Sequence, residues 1–441
     1  MPPCMTKWWP TMSTDDILAA LDSTIADTAA ENSGDREFSR SRRLTLPVML
    51  RLLIGAEGGS LASVLRAAGI EVTPAALSMR RGQIDPEVFQ EVFDRFNAAC
   101  TDTATFRGYK VLACDGTAVN KPRNPDEPSF VTHGGTPEGY NQLHLSPLYN
   151  LLDRTFTDAV IQPAPQKDEI GALVEMVQRN NFDQKTVLIM DRGYESYNLM
   201  AHCIEKPNLD FVLRVKQNHS AMREIARLPM FELDCDIAFT VSTTQTNEDK
   251  ARGYIHLHVP KKSKPGSKTS RTRWDHPSPY SMRLRICRFQ LDDGAGTFET
   301  IATSLPRSFT LQDIKELYHM RWGIETSFRD LKYSIGLVNL HGKSDAYATQ
   351  EIWAALTAFN ASSRIVREVV VRQPPGSAYA YRVNFKQAVA IVKEAIRNPS
   401  GDYSDLERQI GRNLVAVQPG RHDQRNLRAK GWVGFLYRVA A

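Results

Sequence analysis

Hydrophobic spacing divides the chain into a helical stretch, an alternating strand-and-helix stretch, and a second helical stretch. Ile17, Leu18, Leu21 and Ile25 recur at helix spacing behind Ser13 or Thr14, either of which can cap. Leu46 to Ile54 reads as a buried helix. Residues 60–68 predict a helix, Gly69 a turn, and Pro74 to Arg81 a second short helix capped by Thr73. Asp85 and Pro86 then open a helix with Phe89, Val92, Phe93 and Phe96 inward. A helix, a glycine turn and a helix ending in Arg80 and Arg81 resemble a helix-turn-helix, a pattern shared with plain structural bundles.

The period changes near residue 106. Tyr109 to Cys114 is a short apolar strand that stops at Asp115-Gly116-Thr117, before a segment rich in proline and glycine. Strands near 144–151 and 155–161 predict a meander with the first. A helix from Glu169 to Gln178 leads to the unbroken apolar run Val187 to Met190, which stops at Asp191-Arg192-Gly193-Tyr194. Helix 195–204 and strand 211–215 follow. Three meander strands and then alternating helix and strand predict a ribonuclease-H-like α/β fold. Residues 217–301 interrupt it with strands expected at 238–241, 253–259, 283–289 and 297–303. Beyond them, 346–371 and 385–396 read as helices.

Between insertion and C-terminal helices lies YHMRWGIETSFRDLK, Tyr318 to Lys332. Leu317, Met320, Ile324, Phe328, Leu331 and Ile335 form its buried stripe. At 100° per residue Tyr318, Arg321, Glu325 and Lys332 fall at about 0, −60, −20 and −40°, one narrow polar face. A carboxylate among an aromatic hydroxyl and two cations can hold a metal and grip phosphate. The ordinary alternative is a solvated ladder of Arg321, Glu325 and Arg329. Asp115 and Asp191 tilt the balance. Each ends an apolar strand at a glycine turn, where open α/β sheets gather reactive groups. Two aspartates and a glutamate make the oxygen-only set that Mg²⁺ or Mn²⁺ prefers.

Bulk properties narrow the classes. The 441 residues, 42% hydrophobic and 24% charged, suit a globular chain of several domains, and a net charge of +5 permits nucleic-acid binding. Lys261, Lys262, Lys264, Lys268, Arg271 and Arg273 form an acid-free run, and Arg40, Arg42 and Arg43 a smaller one. The six cysteines have no CxxC pair, which argues against structural zinc and suits a reducing compartment. The longest greasy run, Leu46 to Ala56, is too short to span a bilayer, and the N-terminus has no signal-peptide core. The expected location is cytoplasmic, with no membrane contact.

The spaced residues Tyr318, Arg321, Glu325 and Lys332 resemble the YREK signature of the insertion-sequence-4 group of DDE transposases. Trp322, Ile324, Phe328 and Leu331 are similar to companion positions of that signature. Asp115 in CDGT and Asp191 in MDRGY stand where the group has its first two catalytic aspartates. The resemblance implies catalytic Asp115, Asp191 and Glu325 holding two Mg²⁺ ions, with Mn²⁺ able to substitute. It implies that Tyr318, Arg321 and Lys332 contact the DNA. It further implies a transposase of a bacterial insertion sequence that binds terminal inverted repeats in double-stranded DNA. Such an enzyme cleaves the element ends and joins them to target DNA, chromosomal or plasmid, as a homodimer. The alternatives are a nuclease of the same fold without strand transfer, and a non-catalytic transposase-derived DNA-binding protein. The expected organisation is a helical DNA-binding region (1–105), a ribonuclease-H-like core (106–216), a β-rich insertion (217–301), the rest of the core with the Glu325 helix (302–372), and a helical C-terminal region with a basic tail (373–441).

Overall fold

The computed structural model describes residues 12–33, 43–133, 136–216, 222–259, 273–291, 296–373, 376–377, 379–399 and 402–417. Five of the six residues of the cationic run (Lys261, Lys262, Lys264, Lys268 and Arg271), together with Arg40, Arg42 and the basic tail from Arg421, lie outside them. Five helices come first: α1 (Thr14–Asn32), α2 (Leu46–Ile54), α3 (Leu61–Ala67), α4 (Pro74–Arg81) and α5 (Pro86–Ala99). Their starts are set locally. Ser13, Ser60, Thr73 and Asp85 each accept a first-turn backbone N–H, and proline opens α4 and α5.

The sheet follows, with β1 (Lys110–Cys114), β2 (Thr117–Lys121), β3 (Phe130–His133), β4 (Thr136–Asn150) and β5 (Thr155–Pro163). Helix α6 (Glu169–Arg179), β6 (Thr186–Met190), α7 (Tyr197–Glu205) and β7 (Leu209–Arg214) complete the first half. β5 covers one edge of β4 while β1 and β2 pair in succession along the other. β1 is antiparallel to β4 and parallel to β6, and β6 is parallel to β7. The order β5-β4-β1-β6-β7, with only the first three antiparallel, is the ribonuclease-H-like arrangement.

The insertion does not form a separate β body. It supplies α8 (Arg223–Ala226), β8 (Leu233–Ser242), α9 (Asn247–Ala251), β9 (Ile255–His256), β10 (Tyr280–Gln290) and β11 (Phe298–Thr303). β11 pairs antiparallel with β7, and β10, β8 and β9 follow, so one 11-stranded sheet runs through core and insertion. The sequence also gave no sign of β2 and β3, and the expected strand at 253–259 shrinks to two residues.

Helices α10 (Leu311–Met320) and α11 (Trp322–Arg329) carry the signature, and α12 (Asp345–Glu368) is the longest helix. β12 (Ala380–Val383), α13 (Phe385–Arg397), α14 (Leu406–Gly411) and β13 (Leu414–Val417) end the described chain. The two sheet faces are buried separately. Val111, Ala113, Ile189 and Val212 join the N-terminal helices, α10 to α14 and the C-terminal hydrophobics in one core. Leu112, Cys114, Leu188, Met190 and Phe211 join α6 and α7 in the other. Burial on both faces explains why β1 and β6 read as unbroken apolar runs.

Helix α12 knits the first core. The Phe359 ring lies 4.8 Å from Phe156 and 5.5 Å from Phe385. Asn360 accepts the Phe156 N–H at 2.8 Å and donates to Asn97 of α5, also at 2.8 Å. Arg81, expected on a DNA-reading helix, is instead 2% exposed. It donates to Gln350 at 2.7 Å and to Glu351 at 2.8 Å, both on α12. Arg80 is tied to the Leu44 carbonyl and Gln83. Physically these two arginines anchor α4, because a buried guanidinium without partners is too costly to keep.

Two outcomes follow for the N-terminal helices. Arg81→Ala should destabilise the chain by about 3 kcal/mol in denaturant unfolding, since it leaves Glu351 without its cation. Deleting residues 1–105 should yield insoluble protein, because it strips α5 from α12; a soluble, cooperatively melting fragment would contradict the shared core.

Candidate active site

The geometry begins with register. Lys110 pairs with Thr186 and Ala113 with Ile189 along the parallel strands β1 and β6. Continuing that register past both strand ends sets Asp115 beside Asp191. Parallel neighbours stand about 4.8 Å apart, so the two carboxylates share one end of the sheet. Each is oriented by its own turn. The Gly116 N–H donates to Asp115 Oδ1 at 2.8 Å, and the Gly193 N–H to Asp191 Oδ1 at 2.6 Å.

The third carboxylate arrives on a helix that is not uniform. Thr310 and Asp313 form a capping box at its start. The α-helical run breaks at Arg321, between α10 and α11, and residues Asp330–Ser334 make a π-turn, with Ile335 N–H donating to Asp330 O at 3.0 Å. The π-turn underwinds the helix, so the uniform phase expected between Glu325 and Lys332 does not hold.

Arg321 is the connection between helix and sheet. Its side chain is 8% exposed, with Nη2 3.0 Å from Glu325 Oε1 and Nη1 3.7 Å from Asp115 Oδ2. The guanidinium also lies 5.1 Å from the Trp322 ring and 5.9 Å from the Tyr318 ring. The first rung of the ladder, Arg321 to Glu325, is formed, but Arg321 is buried and also turns inward to Asp115 on the sheet instead of lying on a solvated face. Asp115 responds to this setting. Burial pushes its carboxyl up to about 6, with Asp191 and Glu325 adding to the rise and the Gly116 N–H and Arg321 opposing it.

The remaining signature residues are placed less centrally. Tyr318 is 6% exposed, and its hydroxyl makes no well-aligned hydrogen bond among the described residues, although Arg214 acts on it electrostatically. Lys332, on the π-turn, makes no ion pair with the three carboxylates, and burial lowers its pKa. A half-buried ammonium of this kind gains from a phosphate partner. Beside Tyr318 an open cleft of about 560 Å³ is lined by Arg214, Lys315, His319 and the half-exposed Trp322. Trp274, whose role the sequence left open, packs instead against His276 and Tyr280 at ring distances of 5.3 and 5.5 Å.

Three residues beside Asp115 had gone unnoticed as a group. His144 of β4 and Lys167 approach Glu169 at 3.0 and 2.8 Å, and of the three His144 and Glu169 lie directly against Gly116. The sequence signal was faint: one histidine inside a strand, and one glutamate in the first turn of α6.

As donors, Asp115, Asp191 and Glu325 suit a divalent cation, being oxygen-only, with Asp191 and Glu325 close enough to Asp115 to add to the rise in its pKa. They are not closed into a ligand cage. Among the described residues no group of three or more histidine, cysteine or acidic side chains is arranged to hold a metal ion. Arg321 supplies the compensating positive charge between Asp115 and Glu325.

The site is thus a ribonuclease-H-like sheet carrying two register-matched aspartates, with a glutamate helix tied to it through Arg321. The family follows from the sequence itself: residues 106–361, more than half of the chain, match the model of the transposase DDE domain, and the chain belongs to that family. No curated protein matches the sequence. Among solved structures it is similar to a piggyBac transposase synaptic complex with hairpin DNA, determined by cryo-EM. That likeness covers 96% of this chain and 89% of the other, at 12% identity and a TM-score of 0.45, too low to inform mechanism.

The raised Asp115 pKa gives a stability test. The folded chain holds this proton more tightly than the unfolded chain, whose reference value is 3.8. Ionisation therefore costs stability as pH rises from about 4 to about 6, and the cost persists above that window. Asp115→Asn should be more stable than the native chain at pH 7.5, by up to about 3 kcal/mol at ~1.4 kcal/mol per pKa unit. The two should converge near pH 4 in urea melts without metal.

Proposed function

We propose that this chain is an insertion-sequence transposase of the YREK type, cleaving DNA at the element's ends and transferring the strands to target DNA. The observation that carries the reading is the β1–β6 register that sets Asp115 beside Asp191, with Glu325 joined to Asp115 through Arg321. Asp115, Asp191 and Glu325 would hold two Mg²⁺ ions, with Mn²⁺ as substitute, to activate the attacking water or hydroxyl and stabilise the leaving oxygen. The substrate is double-stranded DNA, first the terminal inverted repeats and then the target. A homodimer in the DNA complex, acting in the cytoplasm on chromosomal or plasmid DNA, completes the reading. No described helix is long and apolar enough to cross a membrane.

The protein groups have separable tasks. Arg321 can present two N–H groups to a phosphate, a fork that lysine lacks. Its contacts to Asp115 and Glu325 keep it aimed at the site before DNA arrives. Lys332 brings an ammonium with no ion-pair partner among the described residues, and Tyr318 a buried hydroxyl, to the same helical segment. Trp322 exposes 46% of its surface beside them and offers a stacking plane.

The direct test is a strand-transfer assay with labelled element ends and a supercoiled target. Joined products establish a transposase; cleavage without joining leaves the nuclease alternative, and neither would favour the non-catalytic one. Asp191→Asn should lower cleavage at least about a hundredfold while end binding persists. Cleavage at the native rate would remove Asp191 from the chemistry.

Arg321→Lys discriminates further. It keeps the charge but loses the fork, so end cleavage should fall at least about tenfold with melting almost unchanged. Native cleavage by Arg321→Lys would reduce Arg321 to a structural ion pair.

A further inference from the structure

Gly116 has no positive φ, so its backbone would accept a side chain. What excludes one is space. A Cβ there would lie 2.2 Å from Glu169 Oε1 and 2.4 Å from His144 Nε2, well inside contact distance. The turn that orients Asp115 is therefore packed directly against a histidine and a glutamate from two other elements.

Those two side chains are fixed in different ways. His144 lies on β4, opposite Ala118 of β2 and Gln162 of β5, and is 4% exposed. It has nowhere to retreat. Glu169 stands in the first turn of α6, its side chain 30% exposed, between His144 at 3.0 Å and Lys167 at 2.8 Å. Contact with His144 and then Lys167 holds its carboxyl down at about 2 against the effect of burial, so it carries full charge at any working pH. A helix N-terminus stabilises that charge further.

We propose that Glu169, seated by His144 and Lys167, is a positioning residue for Asp115. It braces the Gly116 turn whose N–H holds the Asp115 carboxylate, and it adds a fourth negative charge to the end of the sheet where cations gather. This rests on the metal-dependent reading above. The physical logic is that of an outer shell: groups behind a metal ligand fix its direction, and their loss weakens metal binding about 10- to 100-fold. A salt bridge serving stability alone would have no reason to press on the one turn that aims Asp115.

The test titrates the full-length chain with Mn²⁺, following free Mn²⁺ by electron paramagnetic resonance, with thermal melting in parallel. Asp115→Asn is the control that abolishes binding. Glu169→Gln keeps size but loses charge, and it should weaken Mn²⁺ binding at least about tenfold while melting close to native. Gly116→Ala, which forces the Glu169 carboxylate off the turn, should weaken it similarly. Added to Glu169→Ala, Gly116→Ala should cost little more, since both act through one contact. Should Gly116→Ala fold poorly, Glu169→Gln decides. Native affinity in Glu169→Gln, with Asp115→Asn inactive in binding, overturns this inference and leaves the metal site standing. A native chain that binds no Mn²⁺ overturns both.

Discussion

The parallel pairing of β1 with β6 is the constraint on which the site depends. Both strands are apolar and buried on two faces, so neither can slip. A one-residue shift would turn Val111 and Ala113 toward the opposite core and exchange every partner. Because the register is pinned, the two turns that follow are pinned as well, and Asp115 and Asp191 meet at the sheet's end. Loops alone could not hold two like charges so close; the repulsion must be borne by structure formed elsewhere.

Arg321 is the counterpart of that repulsion. It is buried against the glutamate of its own helix and the aspartate of β1, and two aromatic rings flank it. Keeping Asp115 charged there is costly: burial above all, and then Asp191 and Glu325, raise its pKa. Carboxylates that would be more comfortable apart have the character of a functional site, since a chain selected only for stability would neutralise or disperse them. The cost is tolerable because two large cores surround the site.

Sequence patterning reached much of this. Leu46–Ile54 and Pro74–Arg81 are helices with the expected ends, and the apolar runs before Asp115 and Asp191 are strands with the expected stops. Periodicity and capping are local, so local sequence carries them. The misses are non-local. β2 is hidden because its inward Lys121 is polar, a choice that makes sense only beside Ser129 and, far along the chain, Asp345. Arg81 looked like a reading residue because its partners sit on α12, about 270 residues on. The insertion strands were legible one by one, but their joining of the main sheet through β7 and β11 depends on pairing that no single strand announces. His144 and Glu169 belong to the same class, gathered by topology around a glycine whose significance is the space it leaves.

Helix α12 shows why the helical regions flanking the sheet are not appendages. Through Arg81 it holds α4, through Asn360 it holds α5 and β5, and through Phe359 it meets α13. Its own Arg364 pairs with Asp102 at 2.5 Å, and Arg367 with Asp153, both acids close to the sheet's first strands. Buried ion pairs add little net stability compared with apolar packing, but they penalise any alternative docking that would leave one charge alone. The N-terminal helices are therefore held in one orientation relative to the sheet that carries Asp115 and Asp191. A surface on those helices that touches DNA would fix where the strand passes the carboxylates, without a flexible linker to absorb the difference. On the proposed reading, binding and chemistry would be coupled by packing, and a substitution in the α4–α12 contact would disturb both together.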